Sequence, residues 1–113
     1  MQSGKCSKAD DHASERTCLI REAKNSQIKL DVTEEKFLQK LENWDEESGY
    51  KKRTKGLFLA ASKQHIQFRK AQCELLASLA AGGNGAGDMR LECIIELNTR
   101  RTDDIRSLSD SLK

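Results

Sequence analysis

The stretch DMRLECIIELNTRRTDDIRSLSDSL, residues 88–112, places Leu91, Ile94, Asn98, Arg101, Ile105, Leu108 and Leu112 at alternating steps of three and four. That is the period of a helix with one face turned to a partner. Immediately upstream lies Gly82-Gly83-Asn84-Gly85-Ala86-Gly87, with Asp88 after it as a natural N-cap. Beyond the glycines a second run keeps the same rule: Leu57, Ala61, Gln64, Phe68, Cys73 with its neighbour Gln72, Leu75 and Leu79. Two helices joined by so short a loop should pack antiparallel, because neither can bury its stripe alone.

This arrangement fixes a register. If Cys73 faces Cys93, facing residue numbers sum to 166. Leu75 then meets Leu91, Phe68 meets Asn98, His65 meets Arg101, Ala61 meets Ile105, and Leu57 lies near Leu108. Apolar residues meet at both ends with a polar stretch between, which supports a Cys73–Cys93 bridge beside the loop.

Towards the N-terminus, Leu19, Ala23, Leu30, Phe37, Leu38, Leu41 and Trp44 indicate helix, but the spacing slips between 23 and 37. Asp31-Val32-Thr33-Glu34 has the form of a capping box, so a break is expected near 31–33. Ser48-Gly49 is expected to end the segment, glycine being favoured just past a helix C-terminus. A helix 32–47 folding back on 51–81, with facing residues summing to about 98, aligns Cys18 with Ala80. A Cys18–Cys73 bridge then misses by seven residues, about 10 Å at ~1.5 Å per residue, whereas disulfide Cα atoms rarely lie beyond ~7 Å. Of the three pairings that four cysteines allow, Cys6–Cys18 is therefore preferred for the second bridge.

Composition agrees with helix. The 113 residues contain no proline and only five aromatics, three Phe, one Trp and one Tyr. Mean hydropathy is −0.73. No apolar run approaches the ~20 residues of a membrane span. The net charge of +2 is too small to argue for nucleic acid. It is unevenly spread: residues 1–49 carry eight basic and eleven acidic side chains, residues 50–113 twelve and seven. The acidic Glu42, Asp45, Glu46, Glu47 run almost directly into the basic Lys51, Lys52, Arg53, Lys55, and both groups read as solvated helix ends. Two disulfides imply an oxidising compartment. Gln2 to His12 is polar, with no apolar core of a signal peptide, so an export signal is expected to have been removed. The expectation is one all-α domain over 1–113, three to four antiparallel helices in a disulfide-stapled bundle, with residues 1–10 a flexible N-terminus.

Little in the chain reads as chemistry. No Cys-x-x-Cys pair or close His pair suggests zinc, the glycine loop follows a helix and lacks Gly-Lys-Ser/Thr, and Ser62 near His65 is a weak nucleophile signal. No catalytic residue, cofactor or metal is expected. Asn98, Arg101, Arg69 and His65 form a candidate buried polar cluster, structural through backbone carbonyls or pairing with Glu96 or Asp104, or functional as a cleft for an anion. A nearby cation should keep His65 neutral. Gly82, Gly83, Asn84 and Gly85, with Arg90 and Arg100, are the candidate partner-binding residues.

The segment 59–105 resembles the bacterial secreted family named after the mycobacterial lysozyme inhibitor LprI. That family's pattern runs Trp-Ile-x-Phe-Arg-Asp-x-x-Cys, a Gly-Gly loop, then Cys-Leu-x-x-Leu-Thr-x-x-Arg. Here stand His65-Ile66-Gln67-Phe68-Arg69-Lys70-Ala71-Gln72-Cys73, Gly82-Gly83, and Cys93-Ile94-Ile95-Glu96-Leu97-Asn98-Thr99-Arg100-Arg101. His65 replaces the family's Trp, Lys70 its Asp and Asn98 its Thr. The resemblance implies a helical, periplasmic or secreted, disulfide-bonded protein; with no acid–base pair or metal cluster in the chain, a non-enzymatic binding protein, monomeric or weakly dimeric, is expected. Its specific implied target is a lysozyme or another cell-wall hydrolase; the alternative is an envelope interaction module without inhibitory activity.

Overall fold

The computed structural model describes Cys6 and residues 11–112. Apart from Cys6, the expected flexible N-terminus over 1–10 lies outside the described residues. Three helices account for nearly all the rest: α1 (His12–Glu42), α2 (Ser48–Ser78) and α3 (Ala86–Ser111), with no strand among the described residues. The bundle is elongated, 54 × 25 × 16 Å. α3 lies against both other helices, while α1 and α2 scarcely touch.

α1 is continuous, which corrects the expected break at 31–33. Beside the bonded Cys18, its buried positions are Leu19, Ala23, Ser26, Leu30, Thr33, Phe37 and Leu41, an unbroken sequence of four- and three-residue steps. The apparent slip arose because Ser26 and Thr33, small and polar, occupy two seam positions. Without proline or glycine in the segment, nothing forces a stop, and the capping-box residues simply continue the helix. Asp11 caps the N-terminus by accepting from the Ser14 N–H at 2.7 Å.

The helix also ends earlier than expected. α1 closes at Asn43, whose N–H donates to Lys40 O, and Gly49 lies in the first turn of α2 rather than past the end of α1. Lys51 Nζ donates to the Glu42 carbonyl at 2.9 Å, tying the turn. The other turn reverses the chain through Ala81 and Gly82, both at positive φ (51° and 83°), a conformation glycine adopts without cost. Asp88 is not the N-cap of α3; Gly85 is, and Asp88 sits in the first turn.

α1 and α3 run parallel, as Arg16–Asp88 and Ser26–Asn98 contacts show. α2 and α3 run antiparallel, with Glu74–Arg90, Arg69–Asn98 and Ser62–Arg101 contacts falling close to the expected sum of 166. The register along the axis is therefore as read from sequence. The rotation of α2 is not. Leu57, Phe68, Leu75 and Leu79 are exposed, while Phe58, Ser62, His65, Arg69, Cys73 and Ala77 face the bundle. Cys73 keeps its inward place, while Leu57, Ala61, Gln64 and Phe68 give way to their neighbours Phe58, Ser62, His65 and Arg69, a turn of about 100°. The physical reason is partnership: the polar side chains of α2 find hydrogen bonds on α1 and α3, and burying a polar group without one is costly.

Two apolar clusters result. Leu30, Phe37, Leu41, Phe58 and Ile105 form the core near the α1–α2 turn, with Phe37 and Phe58 rings 4.3 Å apart. At the opposite end Cys6, Cys18 and Leu19 pack with Leu91 and Ile95. Cys6–Cys18 and Cys73–Cys93 are both bonded, each with Cα atoms 5.4 Å apart.

Candidate functional site

Between the two apolar clusters the bundle is crossed by a polar layer centred on Asn98, which is fully buried. Its Oδ1 accepts from Arg69 Nη1 at 2.6 Å and lies 3.4 Å from His65 Nε2. Its Nδ2 donates to Ser26 Oγ at 3.0 Å, and its carbonyl accepts from Thr102 Oγ1 at 2.8 Å. Arg69 Nη1 also donates to Gln27 Oε1 at 2.6 Å. One amide therefore joins all three helices. Arg101 stands one turn further along α3, donating to Ser62 Oγ at 3.3 Å with its guanidinium 5.5 Å from the Phe58 ring centre.

The structure thus brings His65, Arg69 and Asn98 together and places Arg101 beside them against Ser62, not against His65 as expected. The anticipated pairing with Glu96 or Asp104 does not occur; Glu96 pairs with Arg100 at 2.7 Å. Sequence reasoning missed Ser26 and Gln27, which complete the layer from α1. Ser26 could have been found, since it stands three residues after Ala23 and four before Leu30 on the seam. The layer holds His65 below its ordinary value of 6.5, because burial penalises the imidazolium. The Asn98 hydrogen bond acts oppositely, Arg69 and Arg101 reinforce the lowering, and Glu34 opposes it. A neutral ring donating from Nε2 suits Asn98 Oδ1, which already accepts from Arg69.

The glycine-loop end is built differently. Gly82, Gly83, Asn84 and Gly85 are exposed, and the Cys73–Cys93 bridge clamps the helices that carry them. Arg16 braces the loop from α1, with Nη2 donating to Asn84 O at 3.3 Å and Nε donating to buried Asp88 Oδ1 at 2.7 Å. An open hollow of about 430 Å³ beside the loop is lined by His12, Ala13, Arg16 and Asn84. Arg90 makes two hydrogen bonds to Glu74, at 2.6 and 3.2 Å, which hold that carboxyl below its usual range. Arg100 lies ten residues further along α3, about 15 Å away by helical rise, and does not share the loop's surroundings.

His12, Glu15 and Asp88 bring one ligand atom each within 4.8 Å of one another. Arg16 already neutralises Asp88 there, which works against a cation. Glu92, nearby, is raised by burial first and then by Glu15 and Asp88. Sequence separation hid this group, since α1 and α3 meet only in the folded chain. The opposite end of the molecule exposes Glu42, Asp45, Glu46 and Glu47. Among the described residues no helix is long and apolar enough to cross a membrane.

A family model described as "Lysozyme inhibitor LprI" matches residues 5–105. No curated protein and no solved structure matches the chain.

Proposed function

We propose a function for a chain that belongs to the lysozyme inhibitor LprI family: it is an extracytoplasmic binding protein that inhibits a lysozyme or related cell-wall hydrolase by docking, without catalysis of its own. The family match over most of the chain carries this reading. The two disulfides support the compartment, since such bonds persist in oxidising surroundings. The buried polar layer supports a scaffold role, because Asn98 is hydrogen-bonded to Ser26 on α1 and Arg69 on α2 and so ties the three helices, although Arg101 Nε beside it is buried without a hydrogen-bond partner among the described residues.

The docking element in this reading is the loop Gly82–Gly85. It is exposed, narrow, and held at its base by a disulfide, an ion pair and the Arg16 brace. Preorganisation of that kind lowers the ordering cost of binding. Arg90 and Arg100 contribute less than their charges suggest, because each is already paired with a glutamate. The exposed acidic turn at 42–47 favours a second contact, as its charge would attract a basic hydrolase.

Coincubation with lysozymes of several classes tests the proposal. Slowed lysis of a cell-wall suspension at micromolar protein is expected, with loss of inhibition when Asn84 is replaced by a bulky residue such as Trp. Unchanged hydrolysis across all classes would overturn it and favour an envelope interaction module instead.

A further inference from the structure

α2 places its polar face inward and its apolar face outside. Leu57, Phe68, Leu75 and Leu79 are between 55% and 67% exposed, Ala61 and Gln64 are exposed, and Gln72 is half-buried. These seven residues fall at steps of 4, 3, 4, 4, 3 and 4, one continuous helix seam that among the described residues is covered only in part, at Gln72. We propose that this seam is the interface of a two-fold antiparallel homodimer, α2 against α2 of a second copy.

The order of the seam identifies the occupant. Counted outward from Phe68, Gln64 and Gln72 stand four residues away, Ala61 and Leu75 seven, and Leu57 and Leu79 eleven. An isologous contact requires self-complementarity: residue i meets j and j meets i. With Phe68 on the two-fold axis, Phe68 meets its own copy, Gln64 meets Gln72 and can exchange amide hydrogen bonds, Ala61 meets Leu75, and Leu57 meets Leu79. The small Ala61 opposite Leu75 leaves room for close approach. The residue types pair about Phe68, Gln with Gln, Leu with Leu and small Ala with large Leu, which is the self-complementarity a second copy requires.

Charge and extent agree. Between Gly56 and Ala81 the charged residues are Lys63, Arg69, Lys70 and Glu74, in a chain that is 34% charged, and none is on the seam. Arg69 is turned to Asn98 and Glu74 is held by Arg90. The seam runs from Leu57 to Leu79, about 33 Å of helix at ~1.5 Å per residue, a single-helix contact at the lower edge of specific interfaces. So small an interface fits a reversible dimer rather than an obligate one.

Sedimentation of the oxidised full chain from about 1 to 500 µM covers the micromolar concentrations at which weak dimers form. The expected result is a monomer–dimer equilibrium. Phe68→Glu should weaken it more than tenfold while leaving helicity and thermal melting at dilution unchanged, because the side chain is exposed. Ile28→Glu, an exposed apolar position on α1 outside the seam, should leave the dimer intact. Orientation is read from two double variants. Gln64→Glu with Gln72→Lys sets opposite charges facing in the antiparallel register and should dimerise, whereas Gln64→Lys with Gln72→Lys sets like charges facing and should dissociate. A monomer throughout the range overturns the proposal and leaves the seam to another partner. Equal loss from Ile28→Glu and Phe68→Glu, or from both double variants, overturns the interface or its orientation.

Discussion

α1 and α2 have the same length, 31 residues, and both lie against α3, yet they sort their side chains in opposite ways. α1 buries Leu19, Leu30, Phe37 and Leu41 and fills the gaps with Ser26 and Thr33. α2 buries Phe58, Cys73 and Ala77, half-buries His65 and Arg69, and leaves Tyr50, Leu57, Leu59, Ile66, Phe68, Leu75 and its C-cap Leu79 in solvent. α1 is thus held by hydrophobic burial, α2 mainly by a disulfide, an aromatic anchor and hydrogen bonds. Residue type alone does not say which face is inside; the partners available across the interface do.

The sharpest way to break this contrast is one chemical change made twice. Leu30→Ala, at a position 2% exposed, should cost about 2–5 kcal/mol. Leu75→Ala, 58% exposed, should stay within ~0.5 kcal/mol at dilutions where the chain is monomeric. Urea denaturation of both variants measures the difference, and equal losses would refute the rotation of α2.

Next in size is the staple. Replacing Cys73 and Cys93 together by Ser should remove about 3 kcal/mol, the chain-entropy value for a loop near this length. Hydrogen exchange should then accelerate first in the C-terminal half of α2, where the polar contacts are the remaining hold. Uniform acceleration across α1 and α2 would contradict the idea that the two helices are secured by different means.

Asn98→Ala tests the polar layer itself. It removes partners from Ser26, His65 and Arg69 at once and should cost about 1–3 kcal/mol, seen as a lower urea midpoint with little change in helicity. A neutral effect would mean that water replaces the amide without penalty.

The smallest effect is a pH slope. The folded-state value of His65 is lowered, so above the unfolded value of 6.5 both states hold a neutral ring and full stability is present. As pH falls below 6.5 the unfolded chain takes up the proton first, and stability is lost until the folded ring also protonates. His65→Gln should flatten this part of the urea-midpoint profile relative to the parent chain. An unchanged difference between the two chains across the window would remove His65 from the network.

Much of this was legible locally. The seam of 88–112 marked α3, the glycines of 82–87 marked the reversal, and the spacing of four cysteines against two helical registers selected the pairs found. Asn98, His65 and Arg69 were read as neighbours because their distances along the chain put them at one level of an antiparallel pair. The break at 31–33 and the N-cap at Asp88 were misread for a common reason. Both motifs are statements about local hydrogen bonding, and in both places long-range contacts decide the outcome. The seam across Ser26 and Thr33 carries the helix through the first, and Arg16, 72 residues away, engages the second.

The chain's own order therefore determined that it is helical, where it turns, which sulfurs bond and at what height the helices face each other, because helical period, glycine and loop length act over a few residues. Folding alone decided which side of α2 looks inward. Two stripes one residue apart satisfy the same period, and the choice fell to Ser26, Gln27 and Asn98, hydrogen-bonding groups on distant helices that reward burying His65 and Arg69 and so leave Phe68 and its apolar neighbours outside.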